Sequence, residues 1–558
     1  MRGCLQQGRS ELVAHGAVCV GAVATLVYLL TMDRSVSWWD CGEFISTGWL
    51  LQVGHPPGAP LYQLLSHLFM LLSFGNPMLV APLSNAFSAL CAGITVGVLY
   101  ATIRELGAQR LGALVGALCY LFCDTVWFSA VESEVYALAM LFCSLDVWLA
   151  LRWRRTGDTR LLLLLGLLLG LGTGVHLMTL LVGPALLLIV CPGLSGTAGF
   201  ARIARVFLLS FLFFLLGLTP YAIIPIRAAA NPPINEMRGT FGDYLKREQY
   251  EKAPLYPRMW RERDSVNHAD WNGGATGVVG NAVYYVSYQL GYMYARYLMY
   301  NFIGRKNLAY SIFILPFLLG LWGLWRHRKR SRRDWWVVML LFLFGGVLLN
   351  LYLNHPCYEP RERDYVYVLS FYAVAIWIGI GADELPRRRW LRVLALLAPL
   401  TLAVGNWGDH DRSHRHSVHD IALNHLESCD PDAILITLGD NDTFPLWYLQ
   451  QVEGRRTDVD VYNLGLTGWG QTLQIIRAAG SRPVYFTQYF VDRYAVLFPA
   501  QLRCEGFCWR LLPEAGSDLT PIVHDGIQWH ITPQEYVDPI SRRFLAIWQR
   551  NTGQEIVR

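Results

Sequence analysis

Charged side chains are scarce in this sequence of 558 residues, since Asp, Glu, Lys and Arg make up only 16% of it. An average soluble domain has about 25%. Hydrophobic residues account for 53%, and the mean hydropathy is +0.30. This composition excludes a disordered chain and an ordinary soluble enzyme. The formal net charge of +5 is too small to imply a polyanion, so we expect no nucleic acid among its partners.

Long hydrophobic runs are what the sequence does contain. A transmembrane helix needs about 20 apolar residues. We expect the first run to persist as a span, because no small-residue cleavage site follows it. The fifth and sixth runs are either two short helices or one long helix with a re-entrant turn. The sequence predicts a polytopic α-helical membrane protein with about eleven transmembrane helices, at 12–32, 77–103, 111–128, 135–151, 161–174, 176–191, 206–226, 308–325, 335–353, 365–381 and 390–405.

Basic residues concentrate in alternate loops between these runs. By the positive-inside rule such loops face the cytoplasm. The N-terminus is then cytoplasmic, and the external loops are 33–76, 129–134, 227–307 and 354–364, all within a transmembrane domain at 1–405. The five basic loops contain Arg104 and Arg110; Arg152, Arg154, Arg155 and Arg160; Arg202 and Arg205; Arg326, Arg328, Lys329, Arg330, Arg332 and Arg333; and Arg387, Arg388 and Arg389.

The tail, residues 406–558, has a different character. Strand-like runs at Ala433–Leu438, Val459–Leu464 and Pro483–Thr487 alternate with helical stretches. That alternation predicts an extracytoplasmic α/β domain. Cys504 and Cys508 would lie on the oxidising side, where a disulfide and two free thiols are both compatible with their spacing.

The first external loop carries two acids beside the membrane, Asp40 and Glu43, three residues apart. On a helix they would share one face. A carboxylate at the membrane boundary is costly unless it is solvated or paired. Such an acid suits a general base that takes a proton from an attacking hydroxyl. The alternative is a pair of solvated loop acids.

A rigid turn follows on the same loop, in the segment from His55 to Pro60 with its three prolines and one glycine. It is either a simple break in the loop or a turn that aims His55 into a site. Glu132, in the second external loop, is either a functional acid or an ordinary span boundary. His176, near the external end of the sixth run, is either a ligand or a packing residue.

Four basic residues break the charge bias by lying next to the membrane on the external side: Arg305, Lys306, Arg361 and Arg363. Arginine there suits bidentate phosphate binding. The phosphate could belong to an anionic lipid headgroup or to a lipid-linked sugar. Arg361 and Arg363 could equally pair with the acids around them.

Two tail acids, Asp440 and Asp442, follow the first strand-like run. The carboxyl end of a strand is the usual ligand crevice of an open α/β sheet. A sugar-hydroxyl or metal site is therefore one interpretation. A hydrogen-bonded structural turn is the other, since Asp and Asn favour turns.

The combination of motifs resembles a family of multi-pass bacterial proteins, classed under a domain of unknown function, that includes a eukaryotic transmembrane protein O-mannosyltransferase. The resemblance implies the GT-C glycosyltransferase fold, with an active site on the external face. It also implies catalysis by Asp40, with Glu43 second. The motifs are Asp40–Phe44, His55–Gly58, Asn231–Asn235, Arg247–Tyr250, Asn301–Arg305, Pro360–Asp364 and Gly439–Pro445.

The function implied is transfer of a sugar, mannose by this resemblance, from a polyprenyl-phosphate donor to an acceptor hydroxyl on protein Ser/Thr or on a glycan. Arg305, Arg361, Arg363 and His55 would bind the donor phosphate. The acceptor or sugar would contact Glu132, His176, Asp440 and Asp442.

Membrane lipid would surround the protein, in a bacterial inner membrane. No bound cofactor is expected beyond the donor substrate, and the sequence leaves metal dependence open. The alternative is a transporter or lipid-linked sugar flippase, for which Asp146, inside the fourth run, is the main supporting residue.

Overall fold

The computed structural model describes residues 2–194, 200–304, 314–359, 361–386, 388–498, 501–513, 520, 522 and 539–552. Arg305 lies outside the described residues. Most of the chain is helical, with a π-helix at Tyr285–Ala295. The α-helices are Arg2–Thr31, Cys41–Trp49, Pro60–Met70, Val80–Glu105, Arg110–Leu121, Asp124–Ala130, Val135–Thr156, Arg160–Thr173, Gly183–Leu194, Phe200–Gly217, Ile223–Ala229, Phe241–Leu245, Ser265–Asn272, Gly277–Tyr284, Arg296–Phe302, Leu315–Arg330, Arg332–Phe344, Val347–Leu353, Val368–Asp383, Arg389–His410, Ser417–Glu427, Phe444–Gln451, Leu464–Ala478, Gln488–Tyr494 and Pro539–Thr552.

Short 3₁₀-helices lie at many of the breaks between these helices. They are Leu71–Ser73, Pro77–Leu79, Leu177–Val182, Thr219–Ala222, Glu262–Asp264, Asp364–Tyr367, Asp440–Asp442 and Ala495–Leu497.

Local sequence explains where several helices begin and end. The Arg332–Phe344 helix starts at Ser331, whose side chain accepts the backbone N–H of Asp334. The Val135–Thr156 helix ends at Gly157, whose φ of +72° is the left-handed cap that favours glycine. These caps place the chain reversals at the predicted loops.

Seven helices in the described part of the chain are long and apolar enough to cross a membrane, or eight if the bent pair Arg110–Leu121 and Asp124–Ala130 forms one span. The protein is therefore a multi-pass membrane protein, but the predicted count of eleven is not confirmed. The pair bends by 65°. The runs at 161–174 and 176–191 form shorter helices, which separate where the His176 side chain caps a 3₁₀ turn. The run at 308–325 is only partly described.

Ion pairs connect the loops predicted to be cytoplasmic. Arg154 contacts Asp334 at 2.7 Å, and Arg326 contacts Glu384 at 2.6 Å. Each pair joins two different basic loops or the ends of their helices. The predicted external loops contact one another instead, at the site described below. These contacts are consistent with the alternating topology, whose orientation stays a prediction.

The tail contains a five-stranded sheet of order β2-β1-β3-β5-β4. β1 pairs in parallel with β2 and β3, whereas β5 pairs antiparallel with β3 and β4. The first three strands lie within the predicted strand-like runs. The strands are β1 Ile434–Thr437, β2 Asp460–Asn463, β3 Val484–Phe486, β4 Leu502–Glu505 and β5 Cys508–Leu511.

Cys504 and Cys508 are both free thiols. Cys504 lies opposite Trp509 and Cys508 lies opposite Glu505 in the β4–β5 hairpin. Because successive strand residues point to opposite faces, the two thiols point away from each other.

The tail shares a hydrophobic core with the first external loop. Trp38 stacks on Phe544 with ring centroids 5.2 Å apart. Cys41 and Ile45 belong to the same buried cluster as Leu446 of the tail. This packing brings the Gly439–Asp442 turn against the first loop. The domain boundary at 405/406 stays a prediction.

Candidate functional site

The backbone before Asp40 is held in an unusual conformation by the tail. Trp39 has φ of +62°, the left-handed region that costs an L-residue about 1–2 kcal/mol. Its N–H donates to Oδ1 of Asn441 at 2.7 Å. The tail turn thus fixes the direction of the chain at the start of the Cys41–Trp49 helix.

Asp40 lies beside Arg361, so the structure brings these two predicted residues together. Its Oδ2 is 3.4 Å from Nη2 of Arg361, whose Nη1 is 3.5 Å from Oε1 of Glu134. The guanidinium lies over the Tyr365 ring, 4.2 Å from its centroid. Asp40 keeps 22% of its side chain exposed, whereas Arg361 keeps 11%. One arginine therefore bridges acids from two external loops.

Glu134 was not among the predicted site residues. Its side chain is 4% exposed, and its Oε2 has no hydrogen-bond partner among the described residues. Burial raises the pKa of the Glu134 carboxyl well above its usual range, and the Asp40 carboxylate adds to the shift. The feature of the sequence that could have identified Glu134 is its position directly before a predicted span, two residues after Glu132.

Glu43 is fully buried and engages His55. Its Oε1 accepts the backbone N–H of His55 at 2.6 Å, and its Oε2 is 2.6 Å from Nδ1 of the imidazole. Burial alone would lower the pKa of His55, but the Glu43 carboxylate outweighs it and the pKa rises to about 10. Glu43 therefore holds a charged His55 at the turn.

Glu236 is a second site residue that sequence reasoning missed. Its backbone N–H donates to Val53 O at 3.0 Å, which pairs the long external loop with the first loop. It is 3% exposed, and burial together with the Glu43 carboxylate raises its pKa to about 8. The feature of the sequence that could have identified Glu236 is its position immediately after the Asn231–Asn235 motif.

Asp440 and Asp442 separate into two roles. Asp442 is buried and accepts the N–H groups of Gly439 at 2.7 Å and Leu438 at 3.2 Å, as in a structural turn. Asp440 adjoins the cluster instead. Its side chain is exposed, but the surrounding protein still partly desolvates it, and together with the Asp40 and Glu43 carboxylates this raises the pKa of Asp440 to about 6.

Two other predicted site residues, Arg363 and Glu132, form ion pairs outside the Asp40 contact. Arg363 holds Oε2 of Glu359 through Nε at 3.0 Å and Nη2 at 2.7 Å. Glu132 forms a buried ion pair with Arg412. Neither is placed against Asp40 by a contact in the described structure.

His176 caps its own turn. Its Nδ1 accepts the N–H of Met178 at 3.1 Å. Its ring lies 5.4 Å from that of Tyr136, centroid to centroid. The structure thus shows a capping and packing role for His176, and its place in a ligand site stays a prediction.

The cluster of Asp40, Glu43, His55, Glu134, Arg361 with Asp440 and Glu236, called the Asp40 cluster below, combines a partly exposed acid with two cationic groups. A partly exposed carboxylate can accept a proton, and an arginine can bind a phosphate. In the described part of the chain, three His, Cys, Asp or Glu side chains meet closely enough for a metal only at Asp264, His268 and Cys357. That group shares no residue with the Asp40 cluster.

Two family models match the sequence. Residues 40–193 match the protein O-mannosyl-transferase TMEM260 N-terminal domain, and residues 418–470 match the TMEM260-associated domain 2. The matched segments include Asp40, Glu43, His55 and Glu134 from the first, and Asp440 from the second.

Individual relatives agree with these matches. The protein O-mannosyl-transferase TMEM260 of Mus musculus is 24% identical over 467 residues, covering 80% of this chain and 62% of the relative. Its Dictyostelium discoideum counterpart is 22% identical over 500 residues, covering 80% and 56%. The chain thus spans somewhat more than half the length of the curated relatives it matches.

Among solved structures, the Archaeoglobus fulgidus oligosaccharyltransferase superimposes with a TM-score of 0.51 at 11% identity, covering 86% of this chain and 69% of that one. This likeness concerns the fold. The sequence matches and the shared fold together confirm the resemblance to the protein O-mannosyltransferase family and to GT-C glycosyltransferases.

Proposed function

From that confirmed resemblance we propose that this chain is a GT-C-type membrane glycosyltransferase. It would move mannose from a polyprenyl-phosphate donor to the hydroxyl of a protein Ser or Thr on the extracytoplasmic face. The observation that carries the proposal is the contact of Asp40, partly exposed, with Arg361 at the junction of three external loops and the tail.

Arg361 is the proposed phosphate ligand. In the structure its guanidinium is shared by Asp40 and Glu134. A donor phosphate, which is a singly charged diester in polyprenyl-phosphate mannose, would compete for the same N–H groups and presents two oxygens in the geometry that a guanidinium fork binds. Donor binding would therefore release Asp40 from Arg361 just when a base is needed.

The reaction is a direct displacement at the sugar's anomeric carbon. The acceptor oxygen forms a bond to that carbon while the bond to the phosphate oxygen breaks, and polyprenyl phosphate leaves with the electron pair. The acceptor proton passes to the Asp40 carboxylate. Arg361 and the charged His55 stabilise the negative charge on the leaving phosphate. The anomeric configuration is inverted.

Glu43 acts in this proposal as a positioning residue, because both of its oxygens bind His55. Asp440 would face the acceptor from the tail side. Residues 1–405 would form the catalytic transmembrane domain in a bacterial inner membrane, with the N-terminus cytoplasmic and the α/β domain at 406–558 outside. The basic residues of the five predicted cytoplasmic loops support this orientation.

The test is a transfer assay. The purified chain would receive labelled polyprenyl-phosphate mannose and a Ser/Thr-rich peptide, with glucose and galactose donors in parallel. Removing a general base typically costs about 10²–10⁴-fold in rate. We expect Asp40→Asn to lose at least about 10²-fold, and Arg361→Lys to raise KM for the donor. No transfer by the wild type with any donor, or full transfer by Asp40→Asn, would refute the proposal.

Asp146→Asn supplies the matched control and tests the flippase alternative. Asp146 is buried in the Val135–Thr156 helix, and neither carboxylate oxygen has a hydrogen-bond partner among the described residues. A flippase would need such an acid within the membrane. We expect Asp146→Asn to retain sugar transfer. Loss of lipid-linked sugar translocation in this variant, without any transferase activity in the wild type, would favour the flippase.

A further inference from the structure

Three side chains outside the Asp40 cluster converge at a buried point between two external loops. Asp264 precedes the Ser265–Asn272 helix, His268 lies one turn further along it, and Cys357 comes from the loop after Val347–Leu353. They are 7%, 5% and 8% exposed. One potential ligand atom from each lies within 4.8 Å of the others.

Two of these side chains each have one buried polar atom without a hydrogen-bond partner among the described residues. Asp264 Oδ2 and His268 Nε2 are buried without one in the part of the chain that the structure describes. Cys357 Sγ lies 3.9 Å from the backbone oxygen of Asp264 and next to the hydroxyl of Tyr284, both of which are weak sulfur contacts. Buried polar atoms in proteins are normally satisfied by protein, water or an ion. A shared ligand at this point would satisfy all three side chains.

We propose that Asp264, His268 and Cys357 bind a zinc ion. Thiolate, imidazole and carboxylate are the ligands that zinc takes in proteins, and the thiolate disfavours magnesium and calcium. One carboxylate, one thiolate and a neutral imidazole carry two negative charges, which match a divalent cation. Binding releases the thiol proton to solvent.

The three side chains need to move only a short distance to bind zinc. Zinc–ligand bonds of about 2.0–2.3 Å place tetrahedral ligand atoms about 3.3–3.8 Å apart. The three side chains must therefore close by about 1 Å from their present spacing. A water molecule completes the fourth position.

The segment before Cys357 is already anchored for this role. The Asn354 side-chain amide donates to Pro254 O at 2.7 Å and to Pro257 O at 3.0 Å. Gln289 Nε2 donates to Asn354 Oδ1 at 3.0 Å and to His355 O at 2.7 Å. These bonds fix the backbone that presents Cys357 to the helix.

The metal would tie the long external loop to the segment that carries Arg361, four residues after Cys357. Its role is to hold that segment in place. It takes no part in the sugar-transfer step, so its test does not depend on the activity of the protein.

The experiment is a Co²⁺ titration of the purified, chelator-treated full chain in detergent. Thiolate-bound tetrahedral cobalt gives a near-ultraviolet charge-transfer band and strong visible bands, and zinc should displace it. We expect one equivalent per chain. The charge-transfer band should vanish in Cys357→Ser, and Co²⁺ affinity should fall at least about tenfold in His268→Ala.

Cys19→Ser and His67→Ala are the matched controls, since both residues lie outside the group, and their spectra should equal that of the wild type. Asp264→Asn preserves the side-chain shape if the other variants fold poorly, and it should also weaken binding. A wild-type protein without the band, or an unchanged band in well-folded Cys357→Ser, would overturn the proposal.

Discussion

At the scale of single residues, the contact of Glu43 with His55 should make the stability of the fold depend on pH. The pKa of His55 is raised from 6.5 to about 10 by the Glu43 carboxylate, against the effect of burial. A group whose pKa is raised on folding stabilises the fold fully below its unfolded pKa. That stabilisation is lost as the pH rises through the folded pKa. The relevant window is therefore between 6.5 and about 10.

We predict that Glu43→Gln lowers the melting temperature, and that the deficit shrinks as the pH approaches 10. Near neutral pH the wild type holds the charged imidazole and the variant does not. Thermal unfolding in detergent at several pH values measures the deficit. Glu248→Gln is the control, since Glu248 is exposed and forms a surface ion pair with Lys252 at 3.1 Å. A deficit for Glu43→Gln that is constant with pH would contradict the assignment.

Among single residues, the sequence predicts part of the Asp40 cluster. Asp40 and Arg361 are recognisable because a charge beside the membrane on the external side needs a reason. Glu134 and Glu236 are not distinguishable from loop acids by spacing, because their burial arises from loops far apart in the chain. Arg363 has Glu359, four residues earlier, as its partner, which is the local pairing that the sequence offered as the alternative to phosphate binding.

At the scale of elements, the Cys41–Trp49 helix lies against the tail at a distance that only glycine permits. A Cβ at Gly42 would be 2.5 Å from the Phe444 carbonyl oxygen and 2.7 Å from its carbon. Both are backbone atoms that cannot move alone. This contact keeps the tail turn, including Asn441 and Asp440, next to Asp40.

We predict that Gly42→Ala destabilises the protein by about 1–3 kcal/mol, as overpacking does. Its transfer activity should fall as well, because the tail turn moves away from Asp40. Thermal unfolding and the transfer assay measure the two effects.

The matched control for this variant is Gly48→Ala on the same helix. Its Cβ would meet the flexible end of Met70 at 3.0 Å. Alanine also gains up to about 1 kcal/mol over glycine inside a helix. The close-contact argument fails if the two variants are equally stable.

Elements themselves were predicted unevenly. The hydrophobic pattern located the long spans and the first three strands. Spans in a membrane and strands in a protein core each leave a recognisable run of apolar residues in the sequence. It did not locate the 65° bend between Arg110–Leu121 and Asp124–Ala130. It also did not show the shared core of Trp38 and Phe544, which depends on contacts between the two ends of the chain.

At the scale of the whole molecule, Arg412 joins the tail to the membrane-embedded part. Its guanidinium pairs with Glu132 at 2.5 Å, and the two side chains are 2% and 3% exposed. Its backbone N–H donates to Thr31 O at 2.9 Å, at the end of the first span. The guanidinium also lies 3.9 Å from the centroid of the Phe128 ring. One residue therefore contacts the first span and the second external loop from the start of the tail.

Removing one charge of this pair leaves the other buried without its partner, which typically costs about 3–5 kcal/mol. We predict this loss for Arg412→Met and a similar one for Glu132→Gln. The double variant should lose much less stability than the sum of the two single losses, because neither charge is then buried without a partner. Denaturant unfolding in detergent completes the cycle. Arg155→Met is the control, since its pair with Glu105 leaves Arg155 47% exposed and such a pair contributes about 0–1 kcal/mol. Additive losses would mean that the tail is held by its apolar contacts and not by this ion pair.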